Sequence, residues 1–367
     1  MQFNGHDIIQ NTQLNANNDT AGESQRATAL HDDEKDGDNI PGINTPDTAV
    51  AGTTQSYHPA VLYAAQTKDS TTQESSLDQP TSSEANGWHI SAVNADQVWP
   101  DYTGAGVVTS VIDTGFPSFD HPDLDDNIRT DLADFSAEGK TDSKGELIQH
   151  GTNTAGLVGA EANGSQVVGV AYDTDLAPRE VKNSVDTGID VSTSFADVMN
   201  NSWGFVSTFN DAGLSDAADA VSNGRGGLGS VVVFSAGNDR EDDISSNIFG
   251  LQSSSDTITV AATNTSGGEA SFSSFGSSVL VTAPGTFLNT TNGVSGTMDD
   301  FAGTSGSAPI VSGVSALVLE AKPDLGYRDV QKILALSAQY NDQGDSSWTF
   351  NGADHWNGGG MHFSPDH

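Results

Sequence analysis

Val107-Val108-Thr109-Ser110-Val111-Ile112-Asp113-Thr114-Gly115 is an apolar, β-branched run that stops on an acid and a glycine turn. A strand buried on both faces reads as a nearly continuous apolar run, so residues 107–112 predict an interior strand with Asp113 at its carboxyl end. The same texture returns in Val231-Val232-Val233-Phe234-Ser235, followed by Ala236-Gly237-Asn238. Runs at 167–171, 257–262 and 279–281 also read as short strands, while 156–160, 214–221 and 310–319 read as helical. Strands alternating with helices imply an α/β fold with a mainly parallel central sheet covered on both faces. Active sites of such sheets gather at the carboxyl ends of the strands, where Asp113 and Asn238 fall.

Two further motifs give those positions a chemistry. His150-Gly151-Thr152-Asn153-Thr154-Ala155-Gly156 places a histidine at the start of a small-residue helix. Gly303-Thr304-Ser305-Gly306-Ser307-Ala308-Pro309 places a serine where a glycine loop passes into an apolar helix, among backbone N–H groups that favour a developing anion. The order is Asp…His…Ser. A serine hydroxyl is a weak nucleophile until a base takes its proton; His150 is the candidate base, and Asp113 would fix its tautomer and stabilise its charged form. The Asn238 amide could donate to the oxyanion of a tetrahedral intermediate. Each motif alone also reads as an ordinary turn, cap or loop. Their joint occurrence carries the functional reading.

The four motifs resemble the subtilase family of serine proteases, and within it the kexin-like branch. The likeness runs from about Gly87 to the end of the chain. Its other elements are Gly87-Trp88-His89-Ile90, Tyr102-Thr103-Gly104-Ala105-Gly106-Val107, His121-Pro122-Asp123-Leu124, Asn201-Ser202-Trp203-Gly204, Gly226-Gly227-Leu228-Gly229, Ala283-Pro284-Gly285 and Gly326-Tyr327-Arg328-Asp329-Val330-Gln331. The resemblance implies a three-layer subtilisin-like fold and a serine endopeptidase with catalytic Asp113, His150, Ser305 and Asn238. It implies that Ser202-Trp203-Gly204 lines the cleft and pairs with an extended peptide or protein substrate. It also implies structural calcium, with Asp123 giving a carboxylate, Asn163 a side-chain oxygen and neighbouring residues carbonyls; an ordinary Asn-Gly turn at Asn163 is the alternative.

Three departures stand against the kexin-like pattern. Ser207 and Phe249 fall at the specificity-pocket positions where cutters after basic pairs carry acids, and Ile244 falls at a neighbouring calcium position, with Asp242 and Asp243 one or two places away. The stretch between Gly169 and Asn201 leaves little room for a helix the family places there, which predicts a partly uncovered sheet face. Thr154 replaces an apolar residue, a mild change.

Composition bounds the rest. The 367 residues hold 50 Asp+Glu against 13 Lys+Arg, a net charge of −37. That charge repels nucleic acid and anionic membranes, and suits a secreted protein in salty, calcium-bearing water. There is no cysteine, hence no disulfide. The longest apolar runs have strand or core-helix length, so membrane insertion is not expected. Met1 to Asp7 lacks the basic and apolar regions of a secretory signal, which places any export address elsewhere. Residues 1–86 are polar and acidic, with Phe3, Tyr57 and Tyr63 as their only aromatics, and predict disorder apart from one or two helical turns at 59–65. Residues 87–367 form the catalytic domain. The stretches from Trp348 and Trp356 read as interior family sequence, so further C-terminal domains are expected. A catalytically inactive binding module of a larger surface protein is the alternative function, and a fragment unable to fold alone a third reading.

Overall fold

The computed structural model describes residues 79–81, 87–116, 118, 120–135, 148–164, 167–181, 187–204 and 210–339, and the backbone of 348–350 and 356–358. The predicted disorder of 1–86 and the turns at 59–65 fall outside these residues, except that Gln79 donates to the Trp99 carbonyl at 3.1 Å.

Six strands form one parallel sheet in the order β2-β1-β3-β4-β5-β6. They are β1 (Val108–Asp113), β2 (Asp175–Glu180), β3 (Val198–Asn201), β4 (Val231–Ser235), β5 (Ile258–Thr263) and β6 (Val279–Pro284). An antiparallel hairpin follows, β7 (Leu288–Asn292) with β8 (Gly296–Phe301), and a second small one pairs β9 (Trp348–Phe350) with β10 (Trp356–Gly358). The helices are α1 (Trp88–Ala92), α2 (His150–Gly159), α3 (Ile189–Ser192), α4 (Leu214–Asn223), α5 (Gly250–Ser253), α6 (Thr304–Ala321) and α7 (Tyr327–Ser337).

Successive side chains of a strand point to opposite faces, and β4 divides accordingly. Val231 and Val233 join the core beneath α6, with Ile310, Val314 and Leu317, while Val232 and Phe234 join the opposite core, with Ala217 and Val221 of α4. The three-layer α/β arrangement with a parallel sheet is therefore as expected.

Two expectations need correction. Residues 167–171 are not a strand: they form a buried loop, and the strand lies just after it, at Asp175–Glu180. Among the described residues of that region the four-residue α3 is the helix present, and the sheet residues beneath it are nevertheless buried. Ile112, Ile189 and Met199 are all fully buried there. The helix that His150 was expected to open does begin there and runs to Gly159.

The chain leaves β1 toward β2 and returns to β3 on the other side. This reversal lies at the carboxyl ends of β1 and β3, the position at which parallel sheets bind ligands.

Candidate active site

Asp113 ends β1, 1% exposed, and its Oδ1 lies 2.7 Å from Nδ1 of His150, the first residue of α2. The Thr114 N–H donates to the same oxygen at 2.6 Å. This turn requires glycine at 115: its φ is +75°, and a Cβ there would strike the Ile148 carbonyl. Burial of the His150 ring pulls its pKa down, but the Asp113 charge and hydrogen bond push it up further, leaving it above the ordinary imidazole value. The other side of the ring faces Phe301, with centroids 5.7 Å apart.

The hairpin β7–β8 holds α2 in place. Thr290 Oγ1 donates to the Asn153 carbonyl at 2.6 Å, and Thr291 Oγ1 to that of Thr152 at 2.7 Å. Asn153 Nδ2 returns a bond to the Thr291 carbonyl at 2.6 Å. Sequence reasoning missed this hairpin, although Asn292-Gly293 between two threonine-bearing runs is a hairpin signal.

Ser305 is the second residue of α6, whose N-cap is Gly303 at φ +133°. Pro309 lies inside this helix and has no N–H, so the Ser305 carbonyl four residues before it loses its intrahelical donor. Ser202 Oγ supplies one at 3.0 Å, and Ser305 Oγ donates back to the Ser202 carbonyl at 3.2 Å. Among the described residues this is the serine hydroxyl's only bond, and it does not reach His150. A turn about χ1 moves it, and such contacts commonly tighten only once substrate is bound.

Asn238 follows β4. Its Oδ1 accepts from the Thr304 N–H at 2.8 Å and from Thr304 Oγ1 at 3.1 Å, while the same hydroxyl accepts from the Gly237 N–H at 3.2 Å. With the oxygen so occupied, Nδ2 is the free end of the amide. Among the described residues neither Nδ2 nor the Ser305 N–H has a partner, and a Cβ on Gly303, between them in the fold, would lie 3.5 Å from Nδ2. Two idle donors beside a serine can hold a developing oxyanion. Thr304 was not singled out from the sequence; its place between Gly303 and Ser305 was the available signal.

The remaining expected residues divide. Ser202 is buried and tied to Ser305, but the Trp203 side chain is 6% exposed and packs edge-on against Phe234 at 5.2 Å, as core. The Trp203 carbonyl accepts from Gln252 Nε2 at 3.3 Å. Only the backbone of Ser202-Trp203-Gly204 is therefore available to a substrate. Phe249 is half-buried just before α5, Asp242 and Asp243 are exposed, and Ser207 lies outside the described residues.

Asp123 and Asn163 do come together. Asn163 Nδ2 lies 2.7 Å from the Pro122 carbonyl and 3.4 Å from both Asp123 Oδ1 and Glu161 Oε2. Glu161 was not foreseen. Burial holds its carboxyl above the usual range. These are hard oxygens of the type calcium takes, and a half-turn of the Asn163 amide adds a fourth. Among the described residues, no group of three or more His, Asp or Glu side chains is arranged to hold a metal.

Comparison with known proteins follows the same lines. The model of the subtilase family matches residues 104–355. The proprotein convertase subtilisin/kexin type 6 of Rattus norvegicus is 31% identical over 294 residues, covering 72% of this chain and 31% of that protein. Furin of Homo sapiens is 30% identical over 295 residues, covering 72% of this chain and 37% of furin. The chain thus spans about a third of the length of these relatives. A solved protease structure from Pseudoalteromonas arctica superposes with a TM-score of 0.56 at 26% identity, covering 71% of this chain and 92% of that one.

Proposed function

This chain belongs to the subtilase family, and from that premise we propose that it is a serine endopeptidase acting through Asp113, His150, Ser305 and Asn238. An extended peptide pairs with the backbone at Ser202 to Gly204, which brings its carbonyl over Ser305. The Ser305 hydroxyl turns from Ser202 to His150 Nε2, gives up its proton there, and Oγ bonds to the carbonyl carbon. Asp113 holds Nδ1–H and stabilises the imidazolium. The Ser305 N–H and Asn238 Nδ2 receive the oxyanion. Collapse breaks the C–N bond as His150 returns the proton to the leaving amine; water, activated by the same imidazole, then releases the acyl group.

The observation that carries this reading is the buried 2.7 Å contact between Asp113 and His150 in a chain of this family. A fluorophosphonate probe tests it. Labelling at Ser305, located by mass spectrometry and lost in Ser305→Ala, is the expected result. No labelling of the native chain, with or without calcium, would favour the inactive binding module instead. Because His150 must be neutral to act as base and its pKa is raised, activity should fall on the acid side from a point above pH 6.5.

Three finer points belong to the same proposal. Phe249, uncharged at its pocket position, supports cleavage after apolar or neutral residues over Lys-Arg or Arg-Arg at high salt; a peptide-library profile dominated by dibasic sites there would refute it. Calcium would be held by Asp123, Asn163 and Glu161, whose hard oxygens suit it. Its test is the thermal midpoint with calcium against chelator, which should differ in the native chain and not in Asp123→Asn. The strongly acidic composition supports a secreted or extracellular protein, and among the described residues no helix is long and apolar enough to cross a membrane. Recovery of the protein from the medium of the producing cells checks this.

A further inference from the structure

Thr154 sits one helical turn after His150, so both side chains leave the same face of α2. Each meets a different oxygen of Asp113: His150 Nδ1 lies 2.7 Å from Oδ1, and Thr154 Oγ1 lies 3.1 Å from Oδ2. Thr154 is fully buried, and Asp113 is 1% exposed, so water does not share this contact. The hydroxyl has one proton and two acceptors in reach, Asp113 Oδ2 and the Gly151 carbonyl at 3.0 Å. A bond to an ionised acceptor is roughly twice as strong as one to a neutral carbonyl. With the proton on Gly151, a hydroxyl lone pair would instead face a buried carboxylate oxygen. The proton therefore points to Asp113.

We propose that Thr154 is a positioning residue of the triad: its hydroxyl donates to Asp113 Oδ2 and, with His150 on Oδ1, clamps the carboxylate plane against one face of α2. This rests on the reading of Asp113, His150 and Ser305 as the catalytic set. Among the described residues no other donor reaches Oδ2, since the Thr114 N–H serves Oδ1. The hydroxyl draws charge from the carboxylate, so its removal concentrates negative charge beside the imidazole. Among the described residues, the elements around the ring carry other charged groups. Glu180 of β2 is in register with Asp113, and Asp299 and Asp300 of β8 are exposed next to Phe301. α2 itself carries no charged residue apart from His150.

The experiment compares the native chain with Thr154→Ser, Thr154→Val and Thr154→Ala by two readouts. The first is the NMR titration of the His150 ring, which needs no turnover. The second is the acid limb of kcat/KM against pH. In Thr154→Val both should move to higher pH by about half a unit or more, which is roughly a threefold loss of kcat/KM at a fixed pH below the limb. Thr154→Ala should repeat the shift if the valine variant folds poorly, and Thr154→Ser should restore the native profile. A His150 titration unchanged in both variants that lack the hydroxyl, whatever their thermal midpoints, overturns the proposal. The titration also separates the two readings: a shift without peptide hydrolysis in the native chain sustains the Thr154 contact while refuting the endopeptidase.

Discussion

At the amino end of the sheet, Arg225 and Glu320 spend their hydrogen bonds within the protein; at the carboxyl end, Asn238 Nδ2 and the Ser305 N–H spend none among the described residues. Arg225 donates to Asp197 at 3.2 Å and to the carbonyls of Gly229, Leu325 and Pro323 at 3.2, 2.9 and 2.8 Å. Glu320 Oε2 accepts the N–H groups of Thr103 and Gly104 at 2.7 and 2.6 Å. A cavity of about 360 Å³ lies between these residues, lined also by Leu228 and Pro323. Its charged groups lock α6 and its C-terminal loop to the strand bases and keep little capacity for a ligand. The cavity end has its polar groups spent, whereas idle donors mark the other end. Unspent polar groups are costly to fold, and they persist where a reaction uses them.

Four measurements can break or sharpen that contrast. The largest effect expected is for Ser305→Ala. Peptide hydrolysis should fall by about six orders of magnitude, the size known for the corresponding serine of subtilisin. The thermal midpoint should stay close to native. A midpoint that collapses with the activity would make the serine structural. Next is Asn238→Ala, where kcat should drop about 10²–10³-fold with KM little changed, the magnitude known for subtilisin's oxyanion asparagine. A rise in KM at constant kcat would move Asn238 from the oxyanion to substrate binding.

His89 is a third kind of polar group, with neither partner nor cleft. It is 1% exposed, among the described residues both ring nitrogens lack a partner, and burial lowers its pKa to about 4. The folded pKa lies below the unfolded value of about 6.5, so the unfolded chain binds the proton first. Stability is complete above pH 6.5 and is lost as pH falls from there toward 4, by about 3 kcal/mol in all. Chemical denaturation at pH 7 and pH 4.5 should show this loss, and His89→Leu should remove that share of it. The smallest effect is for Arg225→Ala, which should cost about 1–3 kcal/mol of stability while kcat stays within about twofold of native. A larger loss of kcat than of stability would show that the two ends are coupled.

The candidate site was more legible than the sheet around it. Asp113, His150, Asn238 and Ser305 stand at element boundaries, where a glycine turn or a helix start interrupts an apolar run. β2 was misread because apolar character was the guide. Val167-Val168-Gly169-Val170-Ala171 looks like a strand but packs as a loop, while the strand Asp175–Glu180 carries Pro178, Arg179 and Glu180. β2 is the edge of the six-stranded sheet, and its outer side meets only scattered bonds from residues 127–134, at Leu176, Pro178 and Glu180, rather than a full ladder, so a proline is tolerated there. β3 was missed because only four residues, Val198–Asn201, cross the core and two are asparagines. Burial of Asn200 is sustained by bonds to Ser202 and Ser312, each 3.1 Å long, which no local pattern announces. Thr154 was legible as a departure, but its partner, Asp113, is 41 positions away.

The bond pair between Ser202 and Ser305 joins residues 103 positions apart, and it ties Ser305 to the residue after β3 rather than to its own helix. Contacts of such long range close late, because the loop entropy has to be met before any of them is rewarded. A ribosome that has released the chain as far as Asn238 has released the proposed acid, base and oxyanion amide, but not Ser305, the proposed nucleophile. On the proposed assignment, the capacity to cut peptides arises only with α6. On that assignment an unfinished chain would cut neither itself nor its neighbours while its own core is still open.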